Sequence, residues 1–277
     1  MIALAELHYT TPFPLADSER AELLEFAVGL AIKAGEATLP YFRASVQIDN
    51  KLGDGGFDPV TEADRAAERV IRDMVGKRFP THGLFGEEFG YQPGQGLTWV
   101  IDPVDGTRAF MTGMLHWGVL LALFDGQRPV LGVMYQPFTR EIFCGDGRSA
   151  EYRCGETVRR LQVRRCGALK EAVLATTSPR FFDTKKELAG FSELEKRVKL
   201  TRFGGDCYIY AMLAMGYIDL ATDSKLNAYD IQALIPIIEG AGGVVSTYDG
   251  GDACMGGSVV AAGSEELLRA ALDAYNQ

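Results

Sequence analysis

The sequence predicts a chain of two characters, an α+β first half followed by an α/β second half. Three observations predict it. Two helical apolar stripes come early, over residues 23–34 and 67–74. Apolar runs broken by Asp-Gly turn signals fill residues 98–160. Beyond about residue 165, short apolar runs alternate with helical patterns, the rhythm of an α/β unit. The halves are divided as residues 1–165 and 166–277.

The elements follow in order. Leu23, Phe26, Ala27, Leu30, Ala31 and Ala34 recur at the spacing of one buried helix face. Asp17 or Ser18 is placed to cap that helix, with Glu19 and Glu22 suiting its dipole. A glycine-rich loop, Gly53-Asp54-Gly55-Gly56, comes next. Thr61-Glu62-Ala63-Asp64 then opens a second helix that buries Ala67, Val70, Ile71 and Met74, with a capping-box-like spacing of Thr61 and Asp64. Residues 98–101 form a short strand that stops at Asp102. Residues 117–124, 129–135 and 141–144 read as an antiparallel meander, turned at Asp125-Gly126 and Asp146-Gly147, with a further hairpin at Gly155. In the second half, strands are expected over 172–176, 198–202, 218–222, 244–248 and 258–262. Helices are expected over 184–197, 206–215, 230–239 and 265–275.

Composition narrows the function. The 277 residues carry 28 Lys plus Arg against 37 Asp plus Glu, a net charge of −9. Such a surface disfavours a nucleic-acid backbone as main partner and repels phosphate esters at long range, so phosphate chemistry needs local positive charge. The five Cys (144, 154, 166, 207 and 254) are odd in number and scattered, which argues against a disulfide scaffold or a zinc knuckle and for a reducing cytoplasm. Residues 1–14 lack the basic start and apolar core of a signal peptide, and no run approaches a membrane span.

The segment richest in chemistry is Trp99-Val100-Ile101-Asp102-Pro103-Val104-Asp105-Gly106-Thr107. Two carboxylates fixed this close repel each other unless a cation lies between them. Hard oxygen ligands of this kind suit Mg²⁺, and the Val104 carbonyl stands between them as a third oxygen. Pro103 fixes φ, and Gly106 permits close backbone approach to a ligand. A helix starting after Gly106 would aim free N–H groups at an anion. Glu87-Glu88, Asp64 and Asp230 are further acids that can join, although on spacing alone Asp230 is also a helix cap and Glu88 a solvated side chain.

In combination and order, these pieces resemble the inositol monophosphatase family of metal-dependent, lithium-sensitive phosphomonoesterases. The matching segments are Asp58-Pro59-Val60-Thr61-Glu62-Ala63-Asp64, Gly86-Glu87-Glu88, residues 99–107, and Tyr229-Asp230 leading to Ala241-Gly242-Gly243. The resemblance covers the chain from about residue 20. It implies a layered αβαβα sandwich, with an antiparallel N-terminal sheet, a mixed C-terminal sheet and the site between the halves. It also implies a homodimer and two Mg²⁺ ions. Glu87, Asp102 and the Val104 carbonyl would hold the first ion, and Asp102, Asp105 and Asp230 the second. Glu87 would also touch a weaker third. Thr107 would pair with Asp64 and activate the attacking water, while the Gly106 and Thr107 amides would bind phosphate. Lys51 stands near where the family places a basic residue. Tyr229 replaces the usual Trp, and Pro236 falls inside the expected 230–239 helix.

Substrate choice must come from residues facing the leaving alcohol. Gly205-Asp206-Cys207, residues 110–121 and the stretch from Tyr229 to Pro236 resemble the histidinol-phosphatase branch. Histidinol phosphate carries an ammonium and an imidazole, which a buried acid can pair with. Asp206 is the first candidate for that contact and Asp223 the second, with helix capping and a solvated strand end as their plainer readings. The expected activity is Mg²⁺-dependent hydrolysis of L-histidinol phosphate, a small-molecule ester. The alternatives are a broad-specificity inositol-1-phosphate phosphatase, a 3′-phosphoadenosine 5′-phosphate phosphatase, and a non-catalytic phosphate-binding or regulatory protein on the same fold.

Overall fold

The computed structural model describes residues 12–44, 48–50 and 59–276. Lys51, the Gly53-Asp54-Gly55-Gly56 loop and Asp58 lie outside the described residues, as do residues 1–11. Helix α1 (Asp17–Thr38) begins the described chain, followed by β1 (Ile48–Asn50), β2 (Pro59–Thr61) and α2 (Glu62–Arg78). An eight-stranded sheet comes next, built from β3 (Gly83–Gly86), β4 (Gly90–Gln92), β5 (Thr98–Asp105), β6 (Gly118–Phe124), β7 (Pro129–Gln136), β8 (Glu141–Gly145), β9 (Ala150–Cys154) and β10 (Thr157–Arg160). The one-turn helix α3 (Thr107–Met111) sits between β5 and β6. The second half holds β11 (Val173–Thr176), α4 (Lys185–Glu195), β12 (Leu200–Phe203), α5 (Cys207–Ala214), β13 (Leu220–Leu226), α6 (Ala228–Ile231), α7 (Leu234–Gly240), β14 (Val244–Thr247), β15 (Gly257–Ala262) and α8 (Glu265–Tyr275).

The first sheet runs β10-β9-β8-β7-β6-β5-β3-β4, and the second β12-β11-β13-β15-β14. The first is antiparallel except where β3 joins β5 in parallel. The second is mixed, with β11 parallel to both β12 and β13, and β15 antiparallel to β13 and β14. Strand β6 shows why the sheets are layered. Val119, Leu121 and Leu123 join the core beneath α1 and α2, while Leu120, Ala122 and Phe124 join the core of α5, α6 and α7. A strand covered on both faces is apolar throughout, with period 2 deciding which core each residue enters. Helices α4 and α8 close the outer face of the second sheet around Phe191, Leu194 and Leu267. The order of layers is αβαβα.

Several elements differ from expectation for identifiable reasons. Ala16, not Asp17 or Ser18, is the N-cap of α1, and it makes no side-chain cap bond. The buried stripe of α2 runs through Asp64, Ala67, Glu68, Ile71 and Val75, leaving Val70 and Met74 half-buried. Strand β5 does not stop at Asp102 but continues to Asp105, with its register against β6 shifting between those two residues. The irregularity accommodates Pro103, which cannot donate to a ladder. The expected 230–239 helix is broken into α6 and α7. Pro236 is the third residue of α7, inside the first turn, where its missing N–H costs no intrahelical bond. Strands β3 and β4 were not foreseen.

Candidate active site

The site lies where β5, α3, α5, β13 and α6 converge. Strand β5 carries Asp102 and Asp105, and the first turn of α6 carries Asp230. Their carboxylate oxygens lie within 4.8 Å of one another. Asp102 is buried, and its Oδ1 accepts the Val104 N–H at 3.1 Å. The Asx-type bond folds the backbone so that both acids of Asp102-Pro103-Val104-Asp105 face one point. Asp230 accepts the Asn227 N–H at 2.5 Å in a capping box, so it is both a helix cap and a member of the cluster. Glu87 follows β3, its own N–H donated to the Ile101 carbonyl at 3.2 Å. That bond ties it to the residue preceding Asp102.

The electrostatics are those of an acid cluster built for a cation. Burial raises the Asp102 carboxyl well above its usual range, and the charges of Glu87, Asp105 and Asp230 raise it further. Burial likewise pushes Asp105 and Asp230 up to about 7 each. Converging carboxylates that each resist ionisation are the donor set that Mg²⁺ accepts, since the ion favours oxygen ligands and relieves their repulsion. Asp64, buried on α2, is raised to about 7 by burial, against the lowering effect of its bonds from Thr61.

Thr107 and Asp64 do not hydrogen-bond to each other. The Thr107 hydroxyl donates to the Val104 carbonyl at 3.2 Å. Asp64 Oδ2 accepts the Thr61 N–H at 2.8 Å and the Thr61 hydroxyl at 2.6 Å, completing the N-terminal capping box of α2. The capping of α2 thus engages one carboxylate oxygen of the acid that the resemblance pairs with Thr107. Gly106 caps α3 at φ 85°, and a Cβ there would lie 2.5 Å from the His116 carbonyl oxygen. Glycine is needed for the turn as well as for any approach by a ligand.

A cleft of about 640 Å³ opens over the cluster, lined by Glu87, Asp105, Gly106, Thr107, Asp206, Asp223 and Asp230, among others. Asp206 occupies the N-cap position of α5, yet its side chain makes no cap bond. The Cys207 N–H goes to Asp105 Oδ2 at 2.7 Å, and the Tyr208 and Ile209 N–H groups go to the Gly205 and Asp206 carbonyls at 2.8 and 3.3 Å. Asp206 is therefore not a helix-capping residue in its side-chain bonding. Its backbone, at φ 43° and ψ −134°, is one that non-glycine residues rarely adopt. Burial, with the charges of Asp105 and Asp223, pushes its carboxyl up to about 8. Asp223 is no solvated strand end. It is buried and accepts from the Thr176 hydroxyl (3.0 Å), the Thr177 N–H (2.8 Å), the Thr177 hydroxyl (3.1 Å) and the Tyr210 hydroxyl (3.2 Å).

Sequence reasoning missed the cationic and aromatic rim. Arg108, Arg180, Phe181 and Lys225 also line the cleft. The Arg108 guanidinium lies 5.4 Å from the centre of the Phe181 ring, and Lys225 pairs with Asp183. They come from α3, from the turn Pro179–Phe181 and from β13, so no local pattern could join them.

With this geometry in place, comparison with known proteins is decisive. The profile of the inositol monophosphatase family matches residues 19–277. The chain belongs to the inositol monophosphatase family. It is a phosphatase by that membership. It is 36% identical over 276 residues to the bifunctional phosphatase IMPL2, chloroplastic, of Arabidopsis thaliana, covering 95% of this chain and 78% of the relative. It is 36% identical over 248 residues to a histidinol-phosphatase of Chlorobaculum parvum, covering 89% and 93%. Its fold superimposes on an inositol monophosphatase from Zymomonas mobilis with a TM-score of 0.80 at 37% identity, covering 91% of this chain and 98% of that one. Members of this family act on small phosphate esters with Mg²⁺, which fits the acid cluster. Among the described residues, no helix is long and apolar enough to cross a membrane.

Proposed function

We propose that this phosphatase hydrolyses L-histidinol phosphate to L-histidinol and phosphate. Glu87, Asp102 and the Val104 carbonyl would hold one Mg²⁺, and Asp102, Asp105 and Asp230 a second. The Val104 carbonyl has a lone pair to spare beside the one engaged by Thr107. When bound, the ions supply Lewis acidity at the phosphoryl group and lower the pKa of a water. Asp64, held near neutrality by burial, is matched to take a proton at working pH. Thr107 lines the cleft. Its hydroxyl bond to Val104 is long enough to exchange for one to the water. Gly106 and Thr107, at the start of α3, are disposed to donate their N–H groups to phosphate oxygens.

The observation that carries the choice of ester is Asp206. A side chain at a helix N-cap that leaves the cap unmade, in an unfavourable backbone conformation and lining the cleft, is held there for something other than the helix. A bound ammonium would favour its ionised form and satisfy it. Asp223 keeps the same wall negative, though its own oxygens are already well bonded. The second reading, inositol 1-phosphate, is supported by the likeness to the Zymomonas mobilis structure. Phosphate release measured with Mg²⁺ over both esters separates the two. We expect the higher kcat/KM for histidinol phosphate, and an equal or higher value for inositol 1-phosphate would overturn the proposal. Asp206→Asn is expected to lose the cationic ester selectively. Equal losses on both esters would make Asp206 structural.

A further inference from the structure

Behind Glu87 lies a buried carboxylate that the catalytic reading does not use. Glu68 is 0% exposed on α2, one turn beyond Asp64 on the same stripe. Its Oε2 accepts the Glu88 N–H at 2.8 Å, and its Oε1 accepts the Phe89 N–H at 3.3 Å. Oε1 also accepts from Arg72 Nε at 2.8 Å, and the far side of that guanidinium donates to the Gly90 carbonyl at 2.5 Å. Residues 88–90 are thus clamped by one Glu–Arg pair. Gly86 makes room for it, since a Cβ there would lie 1.9 Å from Glu68 Oε1. On its other side, Glu87 is pinned through its own N–H to Ile101.

A buried charge is costly unless fully bonded, and removing one partner of such a pair costs more than the pair contributes. Glu68 is bonded at both oxygens, and two of its three bonds go to the backbone of the turn that carries Glu87, the third to Arg72 of its own helix. We propose that Glu68 is a positioning residue that fixes the Glu87 carboxylate as a Mg²⁺ ligand by holding the amides of residues 88 and 89. The proposal rests on the reading of Glu87 as a ligand. Carboxylates that orient metal ligands in this way commonly govern about 10–100-fold in metal affinity.

Glu68→Gln tests it. A glutamine offers one acceptor and two donors, so it faces either a backbone N–H or Arg72 with a donor whichever way it is turned. Mg²⁺ binding to the metal-stripped protein is measured by calorimetry for the wild type, Glu68→Gln, Glu87→Gln and the double variant. The single Glu68 change is expected to raise the Mg²⁺ dissociation constant about 10–100-fold. In the Glu87→Gln background it is expected to add less than about 2-fold, because the ligand it positions is already gone. An unchanged constant in the single variant, or the same loss in both backgrounds, overturns the proposal while leaving the metal site standing. A wild type that binds no Mg²⁺ at millimolar concentration overturns the metal reading and this proposal with it. Should Glu68→Gln not fold, Glu68→Asp keeps a charge for Arg72 but shortens its reach by one methylene, and the same cycle applies.

Discussion

Asp64→Asn in the metal-free protein isolates the cost of a buried acid at this site. Asp64 is 1% exposed, and burial lifts its carboxyl from 3.8 to about 7. A folded-state pKa raised above the unfolded one means that the folded chain holds a proton that the unfolded chain releases. Stability therefore falls as pH rises above about 4, by about 1.4 kcal/mol per unit, the slope halving at about pH 7 and vanishing about one unit higher. Between pH 5 and pH 7, this group alone removes about 2 kcal/mol. Asparagine resembles the protonated acid, since its oxygen can take the Thr61 N–H and hydroxyl while nothing titrates. Urea denaturation in EDTA, from pH 5 to pH 8, reads the effect. The two proteins are expected to be closest in stability at pH 5. The wild type should then lose about 2 kcal/mol more than Asp64→Asn by pH 7, and only roughly a few tenths of a kcal/mol more by pH 8. Parallel curves would refute the claim that Asp64 is held protonated by burial, and with it the account of this acid as a proton acceptor tuned to neutrality.

Asp102→Asn is expected to lower kcat by about 10³-fold or more, because the residue is assigned to both ions. Its thermal transition should stay cooperative, and near wild-type phosphate release would overturn the ligand assignment. Gly132→Ala on β7 is expected to destabilise the chain by about 1–3 kcal/mol, because overpacking against a fixed neighbour is costly. The new Cβ would lie 1.9 Å from the Ala233 carbonyl oxygen, a backbone atom rather than a side chain able to turn away. An unchanged denaturation midpoint would mean that the link between α6 and α7 is free to shift.

The legible parts of this chain are those in which local chemistry and tertiary demand agree. Helix α8 occupies the expected span because Ser264 caps it and its apolar stripe meets a matching core. The β6–β8 meander was marked by Asp125 and Asp146, whose carboxylates accept the N–H groups of their own turns. The failures come from distant partners. Pro103 reads as the end of a strand, yet the register shift lets β5 run past it. Glu68 carries no signal in the sequence, where an acid four residues before Arg72 is ordinary on a helix, and only the turn at residues 88–90 closing over it uses it. The grouping of Asp102, Asp105 and Asp230 was legible as a family pattern. The Arg108, Arg180 and Lys225 rim was not, because three separate connections deliver it.

The floor and the wall of the cleft share a carboxylate. Asp105 contributes oxygen to the acid cluster and, through Oδ2, takes the first N–H of α5. One residue further on, the Tyr208 hydroxyl donates to Glu141, which also accepts from the Tyr152 hydroxyl at 3.0 Å and the Thr139 hydroxyl at 2.8 Å. The start of α5 is therefore tied down by β5 and by the start of β8 in the first sheet. A strained backbone persists only where its surroundings over-determine it, and these ties supply that condition at Asp206. With the first N–H of α5 taken by Asp105 and the next two by the Gly205 and Asp206 carbonyls, the Asp206 carboxylate is released from the usual duty of its position and left to the cleft. On the proposed reading, changing the acid at 206 alters which alcohol is welcome. Changing Asp105 alters both the metal floor and the attitude of the helix that carries the wall, so its loss cannot be read as a loss of metal alone.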